Sequence, residues 1–162
     1  MNDLLIGLGS NEGNRTANLA LAHRLLSRNI GIVLKESPIY QTEPWGGVEQ
    51  APYYNQVLWV KTVRSLEDAF RKCQILEQKM GRQRLQKWGP RVIDVDVLYY
   101  NQEQVNTATL TVPHRHLHER RFVLQPLCDI APDYRHPILN QTTTELLAVC
   151  PDQLSSCMLE HA

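Results

Sequence analysis

Between residues 92 and 98 the chain reads Val92-Ile93-Asp94-Val95-Asp96-Val97-Leu98. Successive side chains of a β-strand point to opposite faces. The pattern therefore predicts a strand over Val92 to Tyr100 with Ile93, Val95 and Val97 on one face and Asp94 and Asp96 on the other. Two carboxylates side by side on an otherwise apolar strand repel each other and lose hydration on burial. Two arrangements resolve that conflict. Either the acids lie on an exposed sheet face, or a cation sits between them. Mg²⁺ is the natural cation, since it takes oxygen ligands from one or two carboxylates and fills its shell with phosphates and water.

The preceding segment, Arg82 to Arg91, carries Arg82, Arg84, Lys87 and Arg91 and no acidic residue. It is a solvated basic loop or a phosphate clamp. Arginine forks beside a metal suit a polyphosphate, whose charge the two can share. Arg91 is also close enough in sequence to pair with Asp94.

Elsewhere the pattern is ordinary. Leu4 to Gly9 predicts a short buried strand, and residues 16–28 place Leu19, Ala22, Leu25 and Leu26 on one helical face. Ile32 to Tyr40 predicts a strand interrupted at Pro38. A loop over residues 42–53 leads into a strand from Tyr54 to Thr62. Ser65 predicts the start of a second helix, with Asp68 as a capping-box-like partner, apolar residues Leu66, Ala69, Phe70, Cys73, Leu76 and Met80, and Gly81 as the stop. A shorter helix is predicted around Thr143 to Cys150, with Thr142 and Glu145 at capping-box spacing. The order is β-α-β-β-α-β with an appendage. That predicts an α+β fold: a ferredoxin-like antiparallel sheet with helices on one face and a C-terminal appendage.

Composition excludes several classes. The 162 residues hold 17 basic and 17 acidic side chains, so no net charge favours nucleic acid or a membrane surface. The length fits one domain, residues 1–162. No apolar run reaches the ~18 residues of a membrane span. The start lacks a signal-peptide pattern, and Cys73, Cys128, Cys150 and Cys157 match no zinc template. Together these predict a cytoplasmic protein with reduced thiols, Cys73 serving as core packing. There is no Walker A sequence. Gly7-Leu8-Gly9-Ser10-Asn11-Glu12-Gly13 is one residue too long for a dinucleotide fingerprint. His114, His116 and His118 would share a face if they lay on a strand, but no acidic or cysteine ligand completes a zinc set; a cationic, phosphate-facing segment suits them better. Aromatic residues around the first loop, Trp45, Tyr53 and Tyr54, with Trp88 and Phe122 elsewhere, are core rings or a stacking site for a flat heterocycle.

These residues resemble the 6-hydroxymethyl-7,8-dihydropterin pyrophosphokinase family of folate biosynthesis. The matching segments are Gly9-Ser10-Asn11, Tyr40-Gln41-Thr42-Glu43-Pro44-Trp45-Gly46, Tyr53-Tyr54-Asn55, Glu77 with Met80-Gly81-Arg82, and Lys87-Trp88-Gly89-Pro90-Arg91 running on to Leu98. Leu110-Thr111-Val112-Pro113-His114 and Glu119-Arg120-Arg121-Phe122-Val123-Leu124-Gln125-Pro126-Leu127 follow in the family's order. The resemblance implies Mg²⁺-dependent transfer of the β,γ-pyrophosphoryl group of ATP to the pterin's hydroxymethyl oxygen, with two Mg²⁺ ions, in a monomer. It implies Asp94 and Asp96 as metal ligands and, with Arg82 and Arg91, as the catalytic set. It implies Gln74, Glu77, Arg84, Trp88, Thr111, His114 and Arg120 as the ATP site, and Thr42, Pro44, Trp45, Tyr53, Asn55 and Phe122 as the pterin pocket. Two other readings remain open on the residues alone: a kinase that moves a single phosphoryl group, and an RNA-binding module that stacks bases. The second leaves Asp94 and Asp96 unexplained, because they would repel phosphate without a metal.

Overall fold

The computed structural model describes residues 1–43, 49–81, 91–154 and 156–159. The chain opens with β1 (Asn2–Ser10), turns through Gly13 and enters α1 (Arg15–Asn29), whose first turn is capped by Asn14 Oδ1 accepting from Ala17 N at 3.0 Å. β2 (Ile32–Glu36) and β3 (Tyr40–Thr42) follow as two pieces of the interrupted strand, both antiparallel to β4 (Tyr53–Thr62). Ser37 bridges the break at Pro38. Its hydroxyl accepts from Val57 N and its own N–H donates to Val57 O, each at 2.9 Å, so pairing with β4 continues where proline has no donor.

Ser65 caps α2 (Leu66–Lys79) through Asp68 N at 3.2 Å. The reciprocal half of the expected capping box is absent among the described residues, because the Asp68 carboxylate pairs with Arg64 at 2.7 Å and Arg71 at 2.5 Å. Gly81 ends the helix at φ +85°, where a Cβ would be strained. β5 (Asp94–Tyr100) comes next, then the small hairpin of β6 (Val105–Asn106) and β7 (Thr111–Val112). Beyond it lie a 3₁₀ turn (Leu117–Glu119), α3 (Arg121–Ile130), α4 (Thr143–Ala148) and β8 (Ser156–Met158). Here the capping box is complete: Glu145 N donates to Thr142 Oγ1 at 3.2 Å, and Thr142 N to Glu145 Oε1 at 3.1 Å.

The sheet order is β5-β1-β4-β3-β8, with β2 also on β4 and every pair antiparallel. The core is the expected β-α-β-β-α-β arrangement. Leu4, Ile6, Leu8, Leu58, Val60, Val95 and Val97 pack on Leu19, Ala22 and Leu26 of α1 and on Leu66, Ala69, Cys73 and Leu76 of α2. Burial pushes the Cys73 thiol up to about 12, helped by the Glu77 and Asp96 carboxylates, so it is an inert packing group. The opposite face belongs to the appendage. Val123, Leu124, Leu127 and Ile130 of α3 and Leu146 of α4 close over Leu5, Val57 and Tyr99. Among the described residues, no helix is long and apolar enough to cross a membrane.

Candidate active site

α3 and α4 cover only part of their sheet face. Along β1 that face carries Leu5, then Gly7 and Gly9. The register sets Asp96 opposite Gly7 and Asp94 opposite Gly9 on one side, and Val57 and Asn55 opposite them on the other. Each carboxylate thus has a neighbour without a side chain, which leaves room above the strand. Gly9 is held close: a Cβ there would lie 2.8 Å from Asn55 Oδ1.

The result is a cavity of about 320 Å³, at the lower end for small-molecule sites. Its walls bring together Asp94, Asp96 and Arg91 with Thr42, Tyr53, Asn55, His114, Arg120 and Phe122. Nine of the expected site residues therefore meet in one place: six from β3, β4, β5 and α3, and Arg91, His114 and Arg120 from the segments that join elements. Glu77 lies outside the walls, but its Oε1 accepts from Val95 N at 2.7 Å, pinning the open edge of β5 between the two aspartates. Gln74 is exposed on α2, and Thr111 is on β7; neither lines the cavity. Pro44, Trp45, Arg82, Arg84 and Trp88 fall outside the described residues.

Part of the lining suits a planar ligand. Asn55 Nδ2 donates to Thr42 Oγ1, which orients an amide beside the Tyr53 and Phe122 rings. Other groups of the lining are charged or titratable. His114 Nδ1 accepts from His116 N at 3.2 Å, which leaves the proton on Nε2, 4.0 Å from Asp96 Oδ2. Burial, with Arg120 and His116 nearby, holds His114 down at about 4, so it is a neutral donor near neutral pH. The segment from His114 to His118 is a turn running into the 3₁₀ helix, so its histidines do not line one strand face. Arg120 is buried, with its guanidinium 5.5 Å from the Phe122 ring centre. Burial pulls its pKa down, and the Asp96 and Asp94 carboxylates oppose that. Among the described residues no group of three or more His, Cys, Asp or Glu could hold a metal. A cation here would rest on Asp94 and Asp96, with oxygen from a substrate and water filling its shell. These hard oxygen donors fit Mg²⁺.

Sequence reasoning assigned no role to Asn11, yet this residue ties the site together. Its Nδ2 donates to Gln50 Oε1 at 2.7 Å and Ala51 O at 3.0 Å. Its Oδ1 accepts from Arg91 N at 2.7 Å, and its N donates to Arg91 O at 3.0 Å. Arg15 adds a bond to Pro52 O at 2.8 Å while lying 3.9 Å from the Tyr54 ring centre. The turn after β1 therefore anchors the ends of both loops, those preceding β4 and β5. The readable signal for the floor was glycine at alternate positions 7 and 9 of a buried strand; Asn11 had no local signal, because its partners lie far along the chain.

Comparison with known proteins is consistent throughout. Residues 5–132 match the family model described as 7,8-dihydro-6-hydroxymethylpterin-pyrophosphokinase. The 2-amino-4-hydroxy-6-hydroxymethyldihydropteridine pyrophosphokinase of Methylorubrum extorquens is 42% identical over 144 residues, which cover 88% of this chain and 90% of that protein. The Bacillus subtilis protein of the same name is 40% identical, over 77% of this chain and 75% of its own. The crystal structure of wild-type Plasmodium falciparum HPPK-DHPS superposes with a TM-score of 0.74 at 16% identity, over 91% of this chain; the chain spans 43% of that longer protein.

Proposed function

The chain belongs to the 7,8-dihydro-6-hydroxymethylpterin-pyrophosphokinase family, and from that premise we propose how its cavity carries out the reaction. The reaction moves the β,γ-pyrophosphoryl group of ATP to the hydroxymethyl oxygen of 6-hydroxymethyl-7,8-dihydropterin. It gives AMP and the pterin diphosphate, a step of folate biosynthesis. The observation that carries the proposal is the pairing of Asp94 and Asp96 with the two β1 glycines, inside a cavity whose walls combine aromatic rings with cationic side chains.

In this reading Thr42, Asn55, Tyr53 and Phe122 take the pterin, together with Pro44 and Trp45. The oriented Asn55 amide reads the ring edge, and the rings stack on its faces. Arg91, Arg120 and neutral His114 face the triphosphate, with Gln74, Glu77, Arg84, Trp88 and Thr111 on the nucleotide side. Asp94 and Asp96 would hold two Mg²⁺ ions, which when bound supply charge neutralisation to the phosphates. The protein's own task is positioning, because pyrophosphoryl transfer asks for alignment and charge stabilisation more than for covalent help. Arg82 and Arg91 stabilise charge on the moving group. Keeping water out of the cavity stops it from competing as acceptor. The proposal includes a single-domain monomer acting in the cytoplasm, where its four free thiols stay reduced.

The test is to incubate the protein with ATP, Mg²⁺ and the pterin, and to separate the nucleotides. AMP is expected only when pterin and Mg²⁺ are both present. ADP in its place, or AMP without the pterin, would overturn the assignment.

A further inference from the structure

After α4 the chain returns to the rim of the cavity and attaches there twice. The first attachment is Asp152, which is buried. Its Oδ1 accepts from Leu154 N at 2.9 Å and turns the tail, while its Oδ2 accepts from Arg121 N at 3.0 Å. Its carbonyl accepts from Arg121 Nε at 3.1 Å. Arg121 is the first residue of α3, and the residue at the cap position, Arg120, supplies no capping side chain. A helix start leaves N–H groups unpaired and partly positive. Asp152 therefore caps α3 from 31 residues away. The residues on either side of Arg121 are Arg120 and Phe122, both in the cavity wall.

The second attachment is β8, which pairs with β3 so that Ser156 lies opposite Thr42 and Met158 opposite Tyr40. Leu159 N extends the contact to Ile39 O at 2.8 Å. β3 has only three residues. β4 holds its inner edge, but without β8 its outer N–H and C=O groups would lack strand partners. The tail thus holds both the strand that carries Thr42 and the helix start that carries Phe122, two parts of the cavity wall.

We propose that residues 150–154 and 156–159 are a positioning element for the pterin part of the site: β8 fixes Thr42 through β3, and Asp152 fixes Phe122 and Arg120 through α3. The inference rests on the pterin reading given above. The segment touches no substrate; it sets the separation of those two parts of the wall.

The two attachments predict different kinetics. Deleting residues 155–162 removes the outer strand partner of Thr42 but leaves the Asp152 cap of α3 in place, so KM for the pterin rises about fivefold while KM for ATP and kcat stay within about twofold. Asp152→Ala frees the start of α3, which carries both Arg120 and Phe122, so KM rises about fivefold for both substrates. Asp152→Asn keeps an acceptor for Arg121 N and recovers most of that loss. Circular dichroism checks that each variant is folded; should the deletion protein fail to fold, the two Asp152 variants decide. Wild-type KM values in folded variants overturn the proposal. So does a fall in kcat alone that tracks the folded fraction, since that is stability and not positioning. Failure of the wild-type protein to make AMP from this pterin would defeat the substrate reading instead. Hydrogen exchange then tests the attachment by itself. Faster exchange at Thr42 in the deletion and at Phe122 in Asp152→Ala supports it, and unchanged exchange overturns it.

Discussion

β1 presents Leu4, Ile6 and Leu8 to one side of the sheet and Leu5, Gly7 and Gly9 to the other. The first side is sealed by α1 and α2 with aliphatic contacts. The second is sealed by α3 only as far as Leu5, and beyond that it opens into the cavity. The same nine-residue strand therefore builds a core and an active-site floor. The difference lies in side-chain size at alternate positions. The open side also buries polar groups: among the described residues the Tyr99 hydroxyl has no partner, and His136 sits against the Tyr99 ring at 5.7 Å between centres. One face is built for stability and the other gives up close packing for function, a division that substitutions should expose.

The largest effect is expected at Asp96→Ala, where turnover should fall by about 10³-fold in a rapid-quench assay. Thermal stability should change little, because losing the repulsion from Asp94 offsets losing the attraction to Arg120. A clear loss of stability would mean that this face, too, is built for cohesion.

Leu26→Ala on the sealed face should do the opposite. Leu26 is fully buried, so urea unfolding should show a loss of about 3 kcal/mol. Activity per folded molecule should stay within about twofold.

Gly9→Ala tests the floor directly. The new Cβ would stand 2.8 Å from Asn55 Oδ1, so Asn55 must turn away from its bond to Thr42. Pterin affinity by calorimetry should fall about tenfold, with ATP affinity unchanged. An unchanged pterin Kd would remove Asn55 from the recognition set.

The smallest effect concerns pH. Burial, with His118 close by, holds His136 at about 4, and its Nδ1 accepts from Ile138 N and Leu139 N at 3.2 and 3.1 Å. The unfolded chain, titrating near 6.5, binds this proton first. Stability from neutral His136 is thus complete above about pH 6.5 and is lost as pH falls towards 4. Between about pH 7.5 and 5.5 the wild-type protein should lose about 1 kcal/mol more than His136→Gln. Parallel pH profiles would place the cost elsewhere.

Much of this architecture was readable from local pattern. The caps at Asn14, Ser65 and Thr142 lie beside the helices they start, although only the first and second helices and the short α4 had a clear signature. The break at Pro38 and the stop at Gly81 follow from backbone constraints on those residues. α3 was not legible. Its stripe of Val123, Leu124, Leu127 and Ile130 is short and contains Pro126, which locally argues against a helix; burial on Leu5 and Val57 outweighs that. β8 was equally hidden, since a three-residue strand exists only by virtue of the strand it joins.

Of the site, the alternation of Asp94 and Asp96 was determined by sequence alone, because side-chain direction along a strand is a property of the local backbone. The glycines at positions 7 and 9 belong to the same class. That Asp94 lies beside Gly9, that Gly9 lies beside Asn55, and that Asn55 reaches Thr42 was decided only by the register of β5, β1, β4 and β3. So was the placing of Asn11 against Arg91 and Gln50, and of Asp152 against Arg121. Those contacts join residues 31 to 80 positions apart. No short-range preference encodes them. They follow from burying two faces of one sheet at once, and that condition only the whole chain can meet.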